Sequence, residues 1–194
     1  FFVDKEQDIT IKADTTKLEE MVVTGSKENV LFQQYQKFIA VKGSQMQKAK
    51  MDYNTAKTKQ DSTMYEDLYN KYNKELNDYR DKITSEHPES MMAALLKAMK
   101  EPPYPTKKAV THQDSLDNYY YYKSHYWDGI TFMDERIIRT PFFLPKLERY
   151  YREVMPQDPD SIIKDLDYKL LLARSAPEMY KFLLNWSTDE YINP

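Results

Sequence analysis

Residues 65–83, YEDLYNKYNKELNDYRDKI, give the clearest indication of the fold, because their apolar and aromatic side chains follow a heptad spacing. The stripe consists of Tyr65, Tyr69, Tyr72, Leu76, Tyr79 and Ile83. The alternating spacing of four and three positions places all of these side chains on one face of a helix, with no polar residue among them. The segment therefore predicts a helix whose aromatic face needs a partner.

The partner helix is predicted immediately upstream, and its apolar stripe spans residues 32–56. Its stripe consists of Phe32, Tyr35, Ile39, Lys42, Met46, Ala49, Tyr53 and Ala56, with Lys42 as the polar member. A polar stretch, residues 58–62, separates the two stripes, and Asp61 or Ser62 fits the N-cap of the second helix. We therefore predict an antiparallel helical hairpin over residues 26–87, with Ser26 as the first N-cap and arms of roughly 35–50 Å.

The residues before the hairpin have the alternation of β-strands. Short strands are predicted at Phe2–Val3, Ile9–Ala13 and Met21–Thr24. A ribbon this small is marginal without further strands or a covering helix. Residues 1–25 are therefore interpreted as the C-terminal tail of a β-rich domain, and the chain as a piece of a longer protein.

Proline punctuates the remainder, because all ten prolines lie at or after Pro88. Proline is well tolerated in the first turn of a helix, where its missing N–H costs nothing. Helix starts are predicted at His87–Pro88, at Asp114 or Ser115 for a helix reaching Trp127, at Thr140–Pro141, at Asp158–Pro159, and at Ser175 with Glu178 as a capping box. The predicted fold class is mainly α: a short β ribbon, a long helical hairpin, and a multi-helix bundle over residues 88–194.

The composition excludes several classes of function. The chain has no cysteine, which removes disulfides, thiol catalysis and thiolate metal sites from this segment. Its net charge of −3 argues against nucleic acid as a partner. No apolar run approaches the ~18–20 residues of a membrane span. With three glycines, the sequence also lacks phosphate-binding loop motifs, and no cofactor is predicted.

Candidate catalytic residues centre on His125. His125 and Asp128 stand at a spacing that can serve a general base or a metal site, but a metal needs three or four ligands and the chain has three histidines. Ser115 or Ser124 could be grouped with His125 as a triad, yet no nucleophile elbow frames either serine. A histidine bonded locally in an aromatic cluster is the favoured interpretation.

Paired carboxylates give no stronger signal. Asp165 with Asp167, or Asp158 with Asp160, could be considered for glycoside cleavage. Asp158 and Asp160 stand where a helix start favours negative charge, so capping is the preferred role. We therefore predict no catalytic, cofactor-binding or metal-binding residue, and the segment is expected not to be an enzyme.

The run Tyr119–Tyr122 is the most unusual feature of the chain. In a helix its rings point to different sides, so the helix is either sandwiched between two packing partners or exposes one side for docking. Tyrosine and tryptophan are efficient anchors at interfaces. The possible partner-docking patch comprises Tyr120, Tyr121, Trp127, Phe142 and Phe143.

Three motifs carry a resemblance to a known family. These are YYKSHYWDGI at 121–130, DERIIRTPF at 134–142 and PQDPDS at 156–161. Residues 27–194 resemble the helical domain of unknown function that precedes the thioredoxin-like domain in TlpA/ResA-like (AhpC/TSA-type) envelope thiol–disulfide oxidoreductases of Gram-negative bacteria. Residues 3–29 resemble the end of their β-rich N-terminal domain.

The resemblance implies a periplasmic or cell-envelope location and a noncatalytic role. The expected partners are a thioredoxin-like domain of the same polypeptide and protein or peptide substrates presented to it. Family members carry their CxxC in the thioredoxin-like domain, and no residue of this chain matches it. An alternative is a stand-alone peptide- or glycan-binding module that uses an aromatic surface.

Overall fold

A computed structural model of the chain describes residues 8–105 and 108–192. In these residues the protein is mainly α, as predicted, with seven α-helices and one two-stranded ribbon. The backbone divides into two compact units, Phe1–Ala93 and Ala94–Pro194. We call them the hairpin unit and the bundle unit.

The hairpin unit begins with the antiparallel strands β1 (Thr10–Asp14) and β2 (Lys17–Thr24). They correspond to two of the predicted strands, and the strand predicted at Phe2–Val3 lies outside the described residues. Gly25 joins β2 to the first helix with a φ of +86°, and a Cβ at this position would lie 1.9 Å from the Asp8 carbonyl oxygen. Glycine is therefore required at this turn.

The two long helices are α1 (Lys27–Thr55) and α2 (Lys59–Glu86). Ser26 caps α1 as predicted, because its hydroxyl accepts a hydrogen bond from the Asn29 N–H. The N-cap of α2 is Thr58, which corrects the prediction of Asp61 or Ser62. The Thr58 hydroxyl accepts from the Asp61 N–H at 3.1 Å and donates to the Asp61 carboxylate at 2.8 Å, so Asp61 completes the cap from one turn inside the helix.

Contacts between the helices show that the hairpin is antiparallel. The Tyr79 ring stacks on Phe38 at 4.2 Å between centroids, and Arg80 Nε donates to the Tyr35 hydroxyl at 3.0 Å. Tyr35, Ala49 and Ile83 are buried in the interface, whereas Tyr53 and Tyr69 are 45% and 37% exposed. The heptad stripe thus forms a narrow seam that opens to solvent near the connection of the helices.

Five shorter helices follow. They are α3 (Met91–Met99), α4 (His112–Ser124), α5 (Phe143–Arg149), α6 (Pro159–Ala173) and α7 (Pro177–Tyr191). A 3₁₀ turn, Glu135–Arg139, precedes α5, and a π-helical turn, Tyr150–Val154, continues it. None of the described helices is both long and apolar enough to cross a lipid bilayer.

Most of the predicted helix starts are displaced. The α3 helix begins after Ser90, whose hydroxyl accepts from the Ala93 N–H at 2.9 Å, rather than at His87–Pro88. The α4 helix is capped by Thr111. Asp114, predicted as its cap, completes the capping box three residues later, and the helix ends at Ser124, short of Trp127.

Two further helix starts also differ from the prediction. The Ser175–Glu178 capping box does not form, because α7 follows Ala176 without a side-chain cap and the Glu135 carboxylate accepts from the Glu178 N–H at 2.7 Å. The α5 helix begins at Phe143, after Thr140 has ended the 3₁₀ turn. The Asp158 cap of α6 is confirmed, with its carboxylate 3.0 Å from the Ser161 N–H.

The core of the bundle unit gathers side chains from α3 to α7. Its largest fully buried members are Tyr126, Ile137, Phe143, Leu147, Tyr151, Met179 and Leu183. The buried phenols find backbone partners, since Tyr126 donates to the Lys146 carbonyl and Tyr119 to the Val154 carbonyl, each at 2.9 Å. The π-helical turn adds one residue to the helical circuit, and both Tyr150 and Tyr151 are buried there.

Candidate functional site

A buried ion pair lies on α6. Lys169 Nζ donates to Asp165 Oδ2 at 2.6 Å, one helical turn away. The Tyr151 hydroxyl donates to the same oxygen at 2.7 Å, and the Tyr150 hydroxyl to Asp165 Oδ1 at 3.2 Å. The side chains of Lys169 and Asp165 are 4% and 19% exposed. The carboxylate thus receives three hydrogen bonds, which compensate for much of its lost hydration.

Aromatic rings surround the Lys169 ammonium group. The centroid of Tyr150 lies 4.6 Å from Nζ, and those of Trp127, Phe132 and Tyr151 lie between 5.5 and 5.7 Å away. Cation–π attraction therefore adds to the single carboxylate bond. Burial lowers the pKa of Lys169, and the nearby Asp165 opposes this shift. Burial likewise raises the pKa of Tyr150 and of Tyr151, with Asp165 acting in the same direction.

A groove of about 750 Å³ lies against this pair, within the bundle unit. It is formed by the C-terminal half of α4, the turn that follows, the π-helical turn and α6. Its lining consists of Tyr120, Tyr121, Lys123, Ser124, Trp127, Ile130, Thr131, Phe132, Met133, Tyr150, Asp165, Tyr168, Lys169 and Leu172. Tyr120 and Tyr168 are about equally accessible, at 60% and 58% exposed. The groove is thus aromatic at its rim, with the ion pair among its inner residues.

The structure brings together three of the five residues predicted as a docking patch. Tyr120, Tyr121 and Trp127 all line the groove. Phe142 is 37% exposed and is not among the lining residues. Phe143 is fully buried, so its assignment as a docking residue is corrected: its ring packs against Trp127, Phe132 and Phe182 with centroid distances of 5.8–6.2 Å.

The two sides of the tyrosine-rich helix α4 differ in burial. Tyr122 is half-buried and meets Tyr126 edge-on at 5.7 Å, so this side belongs to the core. Tyr120 and Tyr121 are exposed on the side that borders the groove. Helical geometry separates neighbouring residues by about 100° and thereby divides the run between a buried side and an exposed side.

His125 makes local contacts. Its Nδ1 lies 2.8 Å from the Tyr121 carbonyl oxygen and 3.0 Å from the Ser124 hydroxyl, and its ring stacks on Tyr121 at 4.1 Å. Asp128 follows in the turn after α4. Among residues 8–105 and 108–192, no three His, Asp or Glu side chains are placed to hold a metal ion together.

A second buried lysine lies in the bundle unit, away from the groove lining. Lys146 is 8% exposed, and its ammonium group donates to the Lys100 carbonyl. Burial lowers its pKa to about 8, with nearby Glu101 opposing the shift and Arg149 adding to it. Its role is structural, because it satisfies a backbone carbonyl just after α3.

The ion pair itself is not predicted from the sequence, in which Asp165 pairs with Asp167 as a candidate and Lys169 does not stand out. One signal was present, because Asp165 and Lys169 are four residues apart in a predicted helix, which is the spacing of intrahelical ion pairs. Their burial depends on Tyr150 and Tyr151, whose placement requires the π-helical turn.

No family model, curated protein or solved structure matches this chain.

Proposed function

We propose that this chain is a noncatalytic helical module that holds a protein segment in the groove of its bundle unit. The observation that carries the proposal is the groove itself, with the exposed rings of Tyr120, Tyr121 and Tyr168 around about 750 Å³ of space. Ligand pockets in proteins commonly enclose about 300–1,000 Å³ and combine apolar walls with a few polar groups. The groove has both properties.

The inner polar groups support binding rather than reaction. Asp165 accepts hydrogen bonds from Lys169, Tyr150 and Tyr151, so both of its oxygens are engaged. A general base needs a free lone pair within reach of its substrate. In this arrangement the ion pair fixes the aromatic residues that surround it, and those residues offer the contact surface.

The hairpin unit supports a spacing role. Its helices contain 29 and 28 residues, which correspond to arms of roughly 40 Å at 1.5 Å per residue. Stacked rings and the Lys42–Glu75 ion pair join the arms side by side. A paired helix resists bending better than a single one, so the hairpin can hold its two ends at a fixed separation.

The proposed setting follows from the resemblance to TlpA/ResA-like envelope proteins. In that setting the module spaces a thioredoxin-like domain of the same polypeptide in the periplasm and presents protein substrates to it. Tethering would raise the effective concentration of a bound segment near the redox centre, to the millimolar range for a short linkage.

Peptide selection tests the binding proposal. Phage-displayed peptides are selected on the immobilised chain, and the enriched peptides are measured by fluorescence anisotropy with wild type, with Tyr120→Ser/Tyr168→Ser, and with Tyr180→Ser. Tyr180 is a matched control because it is 39% exposed on α7 and is not among the groove residues. Loss of two anchoring rings is expected to weaken binding by about tenfold or more.

The control variant should bind like wild type. The proposal fails if no peptide is enriched, or if the double variant binds every enriched peptide as tightly as wild type does. Far-ultraviolet circular dichroism of each variant establishes that the helices are retained.

A further inference from the structure

The charges in the groove are unbalanced. Of the residues that line it, Lys123 and Lys169 are basic and Asp165 is acidic. Lys169 and Asp165 neutralise each other at 2.6 Å. Lys123 forms no ion pair with a carboxylate of the described residues. One positive charge is therefore left beside an aromatic surface.

We propose that the groove selects acidic protein segments, in which an apolar side chain packs against the tyrosine rings and an adjacent Glu or Asp pairs with Lys123. This inference rests on the proposed binding function and names the chemistry of the partner. Its basis is charge complementarity at a site whose only other charges already form a pair.

Lys123 is well placed to attract an anion. It lies in the last turn of α4 and is half-buried, so part of its hydration is already lost before a partner arrives. Its positive charge is also close enough to Lys169 to contribute to the lowered pKa of that residue. A carboxylate next to Lys123 would relieve this repulsion, whereas an incoming lysine would add a third positive charge.

The carboxylate of Asp165 cannot serve an incoming basic segment equally well. It already accepts three hydrogen bonds, two of them to Oδ2. A basic segment would have to displace Lys169 or a tyrosine from it, which would leave a buried polar group unpaired. The groove therefore discriminates by sign of charge.

The test uses two fluorescein-labelled peptides with the same apolar residues, Phe and Leu, flanked in one peptide by Glu and in the other by Lys. Wild type is expected to bind the acidic peptide about three- to tenfold more tightly, as one partly exposed ion pair allows. Lys123→Glu should reverse the preference, so that the basic peptide gains what the acidic peptide loses. Added salt should reduce the preference in both proteins.

Lys164→Glu is the matched control. Lys164 is exposed on α6, does not line the groove, and its substitution changes the net charge by the same amount. It should leave the preference of wild type intact. Lys123→Gln is measured as well, because Lys123 also stabilises the C-terminal end of α4 and Glu there weakens the helix. The Gln variant should bind both peptides with similar affinity.

The possible outcomes separate the two proposals. If the peptides bind, depend on Tyr120 and Tyr168, and show no preference by charge, the acidic-segment inference is overturned and the binding proposal remains. Equal effects of Lys164→Glu and Lys123→Glu would also overturn it, since the effect would then follow net charge. If neither peptide binds and selection yields none that does, both proposals fail.

Discussion

Two lysine–carboxylate pairs, one in each unit, both lie beside aromatic rings but differ in burial. Lys42 in the hairpin unit lies 5.3 Å from the ring centroid of Tyr72 and pairs with Glu75, whose side chain is 37% exposed. Lys169 in the bundle unit also lies beside aromatic rings, but Asp165 is 19% exposed and accepts two further hydrogen bonds from tyrosines. Two helices cover a pair from one side, whereas a bundle encloses it.

The ionisation of the two pairs reflects this difference. The hydrogen bond from Lys42 holds the pKa of Glu75 below its usual value, so contact with the lysine outweighs loss of water. In the bundle unit, burial lowers the pKa of Lys169 despite its carboxylate partner. Contact with the charged partner therefore outweighs the loss of hydration for Glu75 at the seam, whereas the loss of hydration outweighs that contact for Lys169 in the core.

Breaking the two pairs should give the largest contrast. Asp165→Ala leaves the Lys169 ammonium buried without a counter-ion, and we expect the free energy of unfolding of the bundle unit to fall by about 3–5 kcal/mol. Both tryptophans, Trp127 and Trp186, lie in this unit, so urea unfolding followed by tryptophan fluorescence reports on it.

The corresponding change in the hairpin, Glu75→Ala, should cost less than about one third as much, because water replaces the lost partner of Lys42. Amide hydrogen exchange of α1 and α2 measures it. The double variant Asp165→Leu/Lys169→Met should recover most of the stability lost in Asp165→Ala. A double variant as unstable as the single one would show that an unpaired charge is not the cause.

Truncation of one buried side chain in each unit tests the same difference in packing. Leu147 and Ile83 are each almost fully buried, the former in the bundle unit and the latter in the hairpin seam. Leu147→Ala is expected to lower the free energy of unfolding by about 3–5 kcal/mol and Ile83→Ala by about 2–3 kcal/mol. Two helices in contact can move together to fill the space left by a truncated side chain more easily than the helices of a filled bundle can.

Hydrogen exchange measured by mass spectrometry compares these two variants, with α1 and α2 read for Ile83→Ala and α5 to α7 for Leu147→Ala. If Ile83→Ala reduced amide protection in the hairpin more than Leu147→Ala reduces it in the bundle, the two helices would not be closing over the truncated side chain. Ile83→Val, which removes a single methylene, serves as the conservative control and should cost about 0.5–1.5 kcal/mol.

A further predicted effect depends on pH and arises from Lys146. Its pKa in the folded protein is about 8, below the usual value of 10.5 for lysine. Between these values the unfolded chain binds a proton that the folded protein lacks, so the free energy of unfolding rises with pH. The cost of burying the charge is present in full below pH ~8 and is lost towards pH ~10.5.

We expect a gain of about 1–2 kcal/mol between pH 7.5 and 9.5, after allowance for solvent screening. Urea titrations at several pH values compare wild type with Lys146→Met, which keeps the aliphatic packing and removes the titrating group. The stability of wild type relative to the variant should rise across this window. A constant difference would show that Lys146 does not titrate there, and Lys164→Met provides the control for loss of an exposed lysine.

The hairpin could be predicted in outline because its interface is one-dimensional. The heptad spacing from Tyr65 to Ile83 already defines which side chains face the partner helix, and Ser26 caps α1 through a residue three positions away. Both signals are local. The correction at Thr58 is also local, since Asp61 supports the cap instead of forming it.

The helices of the bundle unit could be predicted from the sequence, but the way in which they pack together could not. The α7 helix begins where Glu135, 43 residues upstream, accepts from the Glu178 N–H, and no local pattern encodes that partner. Phe143 and Phe142 are adjacent and equally aromatic, yet one is fully buried and the other is partly exposed. Composition cannot separate such neighbours; the packing of surrounding helices does.

The sequence alone predicts that this chain is mainly helical, that two helices form an antiparallel pair, and that the rings of Tyr119–Tyr122 cannot all face one core. Periodicity and composition act over neighbouring residues, so they are readable from the chain. Only the folded structure shows that Tyr120 and Trp127 border a groove and that Asp165 and Lys169 are buried beside it. Their environment is created by α4, α6 and the π-helical turn together, and burial is a property of what surrounds a residue.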